Sequence, residues 1–273
     1  LFTQQLFSDI TSIGCHTHLW NFNTKQYHAW VRQEGILDKL APIKKSDEVI
    51  AVNFPLVPQP LKVGIGLHDS SAALVPYIHS FQIPYVLIST GTWSISLNPF
   101  NQSVLTDAEL KQDCLCYISY TGNPIKASRL FAGNEHEQEI KKIAQQFNQP
   151  ADYYKTVEFN VVIYKNLIES GSLLNADTYE EAYHQVIFNI IQKQVTSTNL
   201  VLHNADVDQI FVDGGFSNNP VFMHFLAAAY PNKKVFAATL SQASSLGAAM
   251  AIHRHWNTQP IPNQLVQLKQ YFY

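Results

Sequence analysis

Gln209-Ile210-Phe211-Val212-Asp213-Gly214-Gly215-Phe216-Ser217-Asn218-Asn219-Pro220 decides the fold. A short apolar run stops at two glycines, a polar loop follows, and Pro220 stands at the first turn of a helix, where its missing N–H has no partner to lose. The unit is strand, glycine-bearing loop, helix. Lys62-Val63-Gly64-Ile65-Gly66 repeats that logic. It leads through Leu67-His68-Asp69-Ser70-Ser71 into a helix from Ala72, with Ser70 or Ser71 as its cap. Residues 85–89 form a β-branched strand broken at Gly91, and residues 92–97 alternate polar and apolar. Two such runs about a glycine turn read as a β-hairpin.

Helices fill the intervals. Residues 135–147 place Ile140, Ile143 and Phe147 on one stripe, and residues 179–195 bring Tyr183, Val186, Ile187, Ile190 and Ile191 round at three- and four-residue steps. A strand at 234–237 and a helix at 244–254, with Gly247 inside it, close the pattern. Strands alternating with helices in this way define an α/β protein. No internal repeat is evident.

Composition narrows the partners. Among 273 residues, 18 Lys and Arg against 21 Asp and Glu give a formal charge of −3. No basic stripe results, so nucleic acid is not an expected partner. The apolar runs are too short for a membrane span, and a membrane partner is not expected either. Charged residues are 14%, against about a quarter in an average domain, and Asn and Gln keep the surface polar. Cys15, Cys114 and Cys116 are too few for a disulfide framework. With no charged-then-apolar leader, a cytoplasmic location is expected. Cys114 and Cys116 read as thiols along a strand in preference to a metal pair. The sequence opens at Leu1 without an initiator Met, so a piece of a longer or processed protein is expected.

Three glycine-bearing loops, at 64–71, 89–93 and 213–219, each follow a strand. Glycines there let backbone N–H groups approach a phosphate, and a following helix adds its positive end. Asp69 is the sharpest single residue. A carboxylate just past a strand, at a helix start, can accept a proton from a hydroxyl attacking phosphorus. A helix-capping Asp is the alternative reading of the same position.

Gly66-Leu67-His68-Asp69-Ser70-Ser71-Ala72-Ala73, Ser89-Thr90-Gly91-Thr92-Trp93-Ser94 and Asp213-Gly214-Gly215-Phe216-Ser217-Asn218-Asn219-Pro220 together resemble the FGGY carbohydrate kinases, in order and in wide separation. The resemblance is nearest the rhamnulokinase and fuculokinase side, including kinases that carry a segment like Ser128-Arg129-Leu130-Phe131. It implies an actin-like, ribonuclease H-like ATPase fold. Residues 1–82 would be the tail of an N-terminal sugar domain and residues 83–273 a C-terminal nucleotide domain.

The resemblance also implies roles. Asp69 would be the general base and His68 would adjoin the sugar. Gly91 and Thr92 would hold the terminal phosphates of ATP, and Gly214, Gly215 and Asn218 would surround the adenosine and inner phosphate. Mg²⁺ would accompany the nucleotide, and two copies of the chain would pair. Residues 244–249 resemble the last helix of the nucleotide domain, where small side chains allow close packing. No Asp-x-Gly-Thr phosphate-cradling motif precedes Thr11, so the chain alone is expected to turn over poorly.

Other readings compete. A truncated, non-catalytic nucleotide-binding or partner-dependent protein is the first. His16-Thr17-His18 as zinc ligands of an amidohydrolase-like enzyme is the second. Glu135-His136-Glu137 suggests an acid–base or metal cluster, but acidic residues at a helix start have an ordinary explanation in the helix dipole. Trp20, Trp30 and Trp93 could stack on a sugar, although Trp93 is expected to pack beneath the phosphate loop.

Overall fold

The computed structural model describes residues 3–55, 57–172, 176–240, 242–262 and 264–273, without the side chain of His16. The chain runs through β1 (Ser8–Asp9), α1 (Ile10–His16), β2 (Trp20–Asn21), β3 (Gln26–Tyr27), α2 (Ala29–Gln33), β4 (Ile43–Lys44), β5 (Val49–Val52), β6 (Leu61–Gly64) and α3 (Asp69–Ser80). It continues through β7 (Tyr85–Thr90), β8 (Ser94–Asn98), α4 (Asp107–Lys111), β9 (Cys114–Ile118), β10 (Pro124–Leu130), α5 (Ala132–Gln146), α6 (Val161–Ser170) and α7 (Tyr179–Leu202). β11 (Gln209–Gly214), α8 (Pro220–Ala229), β12 (Lys234–Thr239), α9 (Ala243–Ala251) and β13 (Gln267–Tyr271) complete it. This is the α/β class expected.

Two compact units emerge. The first comprises Leu1–Ile83, Leu115–Lys126 and Ser241–Val266; the second comprises Pro84–Cys114, Ala127–Leu240 and Gln267–Tyr273. The first unit thus takes in 115–126 and 241–266, beyond the 82/83 boundary drawn from sequence.

In the first unit, α9 packs closely on α3. A Cβ on Gly247 would lie 1.8 Å from the Ala72 carbonyl oxygen, so only glycine permits that approach. Neither Ser70 nor Ser71 caps α3. His68 holds the N-cap position without a side-chain cap, the helix begins at Asp69, and the Ser71 hydroxyl donates to the Ile118 carbonyl at 2.9 Å. The last helix is also shorter than expected, ending at Ala251 before a 3₁₀ turn at His253–His255.

The second unit is built on a sheet ordered β13-β12-β11-β7-β8-β10-β9, of which β9 contributes Cys114 to this unit. β11 runs parallel to both β7 and β12, and β7 and β8 form the expected antiparallel hairpin, with Leu87 opposite Leu97. Val86 and Ile88 of β7 and Ile210 and Val212 of β11 pack with Tyr183, Ile187 and Ile190 of α7 and Phe222 and Leu226 of α8. A central parallel strand covered on both faces loses its alternation, which is why these runs are continuously apolar.

α7 starts at the expected residue, under a Thr178–Glu181 capping box, but runs on to Leu202. Residues 196–199 are polar, so the apolar stripe fades there. The helix survives because Thr198 Oγ1 meets Ser96 Oγ at 3.0 Å, while Asn98 and Asn101 each donate to the Val201 carbonyl at 2.8 Å. α5 likewise starts at Ala132 rather than at residue 135.

Candidate functional site

The larger candidate site grows out of the β7–β11 pair. Thr90 lies opposite Gly214 in parallel register, so the loops leaving both C-terminal ends are side by side. Ligands bind at such strand ends in open α/β sheets. The Thr90 hydroxyl ties the loops together, donating to the Asp213 carbonyl at 2.5 Å and accepting from the Phe216 backbone N–H at 3.0 Å. Gly214 has φ +83°, and a Cβ there would lie 1.9 Å from the Thr90 carbonyl oxygen. Both facts require glycine. Its own carbonyl accepts from Ser217 Oγ at 2.8 Å, folding the 3₁₀ turn Gly215–Asn218.

A cavity of about 660 Å³ opens at these loops, lined by Gly91, Thr92, Gly215, Phe216, Asn218, Asn219 and Pro220. Four of the five expected nucleotide residues are therefore on its wall. Gly214, the fifth, is not a lining residue; it shapes the turn that carries Gly215. Gly133, His136, Glu137 and Ile140 of α5 also line it, with Tyr154 and Lys155 from the 3₁₀ turn Tyr153–Thr156. α5 is drawn against the 91–92 loop: the Asn134 N–H donates to the Thr92 carbonyl at 3.1 Å.

His136 anchors the apolar part of this wall. Its Nε2 is 3.1 Å from the Tyr183 hydroxyl, which accepts from Asn219 Nδ2 at 2.7 Å. The Tyr183 proton is then available for His136 Nε2, so the imidazole carries its own proton on Nδ1. Burial pulls the His136 pKa down to about 4 and keeps the ring neutral. Phe216 lies edge-on to His136 at 5.2 Å and stacks on Phe222 at 4.4 Å. The cavity thus joins a backbone-rich, glycine-lined end to an aromatic and aliphatic end, the chemistry that suits phosphates and a flat base. Lys155 adds a cation.

In the first unit, Asp69 stands at the first position of α3 with its side chain 81% exposed. Its Oδ1 accepts from the Ser70 backbone N–H at 2.7 Å and lies 3.2 Å from His68 Nε2. Burial lowers the His68 pKa, against the opposing pull of the Asp69 and Asp9 carboxylates. The carboxylate is therefore exposed, beside a half-buried imidazole and at the first turn of a helix.

The other candidates disperse. Glu135 pairs with Lys193 and Glu137 with Lys141, each at 2.6 Å, while His136 turns inward. No group of three metal-ligating side chains occurs among the described residues, and the His16 side chain of the His16–His18 pair lies outside them. Trp93 does not pack beneath the loop. It is 43% exposed, tilted against Phe131 with ring centroids 4.4 Å apart, and the Arg129 guanidinium is 5.5 Å from its ring. Arg129 is itself held by Asp113 at 2.6 Å, which gives the 128–131 segment a structural task. Trp20 lies edge-on to Tyr27, and Trp30 is 42% exposed. Among the described residues no helix is long and apolar enough to cross a membrane.

Solved structures share this fold. A carbohydrate kinase from Novosphingobium aromaticivorans is 22% identical with a TM-score of 0.76, over 99% of this chain and 63% of its own. A ligand-bound xylulose kinase from Lactobacillus acidophilus is 14% identical with a TM-score of 0.77, over 99% and 61%. Plasmodium falciparum glycerol kinase with ADP is 16% identical with a TM-score of 0.63, over 94% and 57%. The chain spans less than two thirds of the length of each. No curated protein matches. The C-terminal domain of the FGGY carbohydrate kinases matches residues 82–260, a span that takes in both strand-end loops of the cavity, and the chain belongs to that family.

Proposed function

We propose that this chain serves ATP-dependent phosphorylation of a sugar hydroxyl, with Asp69 as general base. The observation that supports it most is the cavity whose wall joins Gly91, Thr92, Gly215 and Asn218. Its glycine-lined end offers N–H groups to a transferring phosphoryl group, the main stabilisation such a reaction needs. The acceptor hydroxyl passes its proton to Asp69 as its oxygen attacks the γ-phosphorus in line, and ADP leaves. His68 adjoins the sugar. Mg²⁺ would neutralise charge on the phosphate oxygens, held chiefly through phosphate and water oxygens with at most one or two carboxylates. We assign the acceptor to ketoses or related polyols, with deoxy-ketoses such as rhamnulose or fuculose as the narrower class. The cytoplasm is the proposed compartment and a pair of identical copies the proposed assembly.

The test is sugar-dependent ADP formation by the intact natural gene product and its Asp69→Asn variant. Loss of transfer with nucleotide affinity retained supports the reading. Nucleotide binding by the unaltered protein, without transfer to any ketose or polyol, would replace it with a non-catalytic nucleotide-binding role.

A further inference from the structure

α1 takes no part in the chemistry just described, yet its side chains converge on His68. Asp9 caps the helix, accepting from the backbone N–H groups of Thr11 and Ser12 at 2.9 Å. The same carboxylate accepts from the Thr11 hydroxyl at 2.8 and 2.9 Å. That hydroxyl is thereby turned so that its oxygen accepts from the His68 backbone N–H, at 2.7 Å. Thr11 is fully buried. One turn later, Cys15 Sγ lies 3.3 Å from His68 Nε2, the same nitrogen that lies 3.2 Å from Asp69 Oδ1.

Thr11 and Cys15 are four residues apart and so share one face of the helix. They grasp His68 at two points, the backbone and the ring. A backbone contact alone fixes where the residue sits but leaves the ring free to rotate; the second contact removes that freedom. We propose that Thr11 and Cys15 are positioning residues that fix His68 and, through its ring, aim the Asp69 carboxylate. The proposal rests on the reading of Asp69 as general base.

The proton count agrees. An ionised carboxylate only accepts, so the hydrogen between the two side chains belongs to His68 Nε2. The thiol sulfur, a weak acceptor, borders that N–H without taking it from the carboxylate. Asp9 from the end of β1, Cys15 from α1, Asp69 from α3 and the Tyr117 ring from β9, edge-on at 5.5 Å, are among the groups that face His68.

The test uses Thr11→Val, Thr11→Ser, Cys15→Ala and Asp69→Asn. The His68 ring nitrogens are followed by NMR with labelled histidine and assigned by their loss in His68→Gln. Sugar-dependent ADP formation is measured in parallel on the intact natural gene product. We expect the ring signals to move in Thr11→Val and Cys15→Ala and to return in Thr11→Ser. The value of kcat should fall about tenfold or more in Thr11→Val and Cys15→Ala, with the KM for ATP unchanged, because misaiming a catalytic group costs rate rather than nucleotide affinity. If Thr11→Val melts early, Cys15→Ala carries the comparison, since it removes only a sulfur. Ring signals and kcat unmoved in both variants overturn the proposal. Inactivity of Asp69→Asn alone, beside fully active Thr11→Val and Cys15→Ala, also overturns it while sparing the general-base reading. A fully active Asp69→Asn overturns that reading alone, and ring shifts in the other two variants then still support the hold on His68.

Discussion

Gly133 and Gly91 approach so closely that a Cβ on Gly133 would lie 1.8 Å from the Gly91 carbonyl oxygen. The clash is with backbone, which has no alternative rotamer, so either α5 or the 91–92 loop must move. We expect Gly133→Ala to destabilise the protein by about 1–3 kcal/mol, the usual cost of overpacking. Because both glycines line the cavity, nucleotide affinity should fall about tenfold. Denaturant midpoints and calorimetric titration with ADP check the two effects. Normal affinity in a destabilised variant would mean that α5 yields and the loop does not.

Thr90 offers a second test of how the strand ends are joined. Its hydroxyl is the shared partner of the Asp213 carbonyl and the Phe216 N–H. Thr90→Val keeps the shape and leaves a buried N–H unsatisfied, at a cost of about 1–3 kcal/mol. Thr90→Ser restores the bonds. We expect Val, and not Ser, to weaken ADP binding; equal affinities in the two would show that the hydroxyl does not organise the loops.

The parts of this site legible in the sequence are those set by local backbone chemistry. Gly214 and Gly215 after an apolar run, and Pro220 at a helix start, mark a strand–loop–helix turn whatever surrounds them. The rest of the wall left no such mark. Tyr154 and Lys155 ride on a single 3₁₀ turn, too short for periodicity, and Gly133 matters only because α5 folds back onto Gly91. His136 was visible between two glutamates, but its burial against Tyr183 depends on a helix 47 residues away in sequence. The same holds for the end of α7, where Ser96 and Asn98 from a distant strand satisfy a polar stretch. At α3 the serines suggested a cap, whereas contacts from α1 place His68 there instead.

Gly247 tests the α3–α9 contact. An added Cβ would strike the Ala72 carbonyl, one turn into the helix that begins at Asp69. Gly247→Ala gains about 1 kcal/mol in helix propensity. We expect the clash to outweigh that and lower stability by about 1–3 kcal/mol, while also reducing sugar-dependent turnover by shifting Asp69. A variant more stable than the parent would show that the two helices separate without strain.

His136 makes stability depend on pH in a defined direction. Its pKa falls from the ordinary 6.5 to about 4 on folding because the ring is buried. Between those values the unfolded chain binds a proton that the folded one refuses, so stability falls as pH falls. The contribution is fully present above about pH 6.5, drops by about 1.4 kcal/mol per unit below it, and reaches a loss of roughly 3 kcal/mol near pH 4. Burial also lowers the pKa of His184, which adds to the loss in the same direction. Protonated His136 can no longer accept from the Tyr183 hydroxyl, the group that Asn219 also contacts while its Oδ1 accepts from the Phe222 N–H at the start of α8. Acid therefore loosens the cavity wall as well as the fold. Urea midpoints at pH 7.5 and 5.0, compared between the parent and His136→Gln, isolate the effect from that of the carboxylates. The parent should lose more stability than the variant over that interval, and identical losses would remove His136 as the cause.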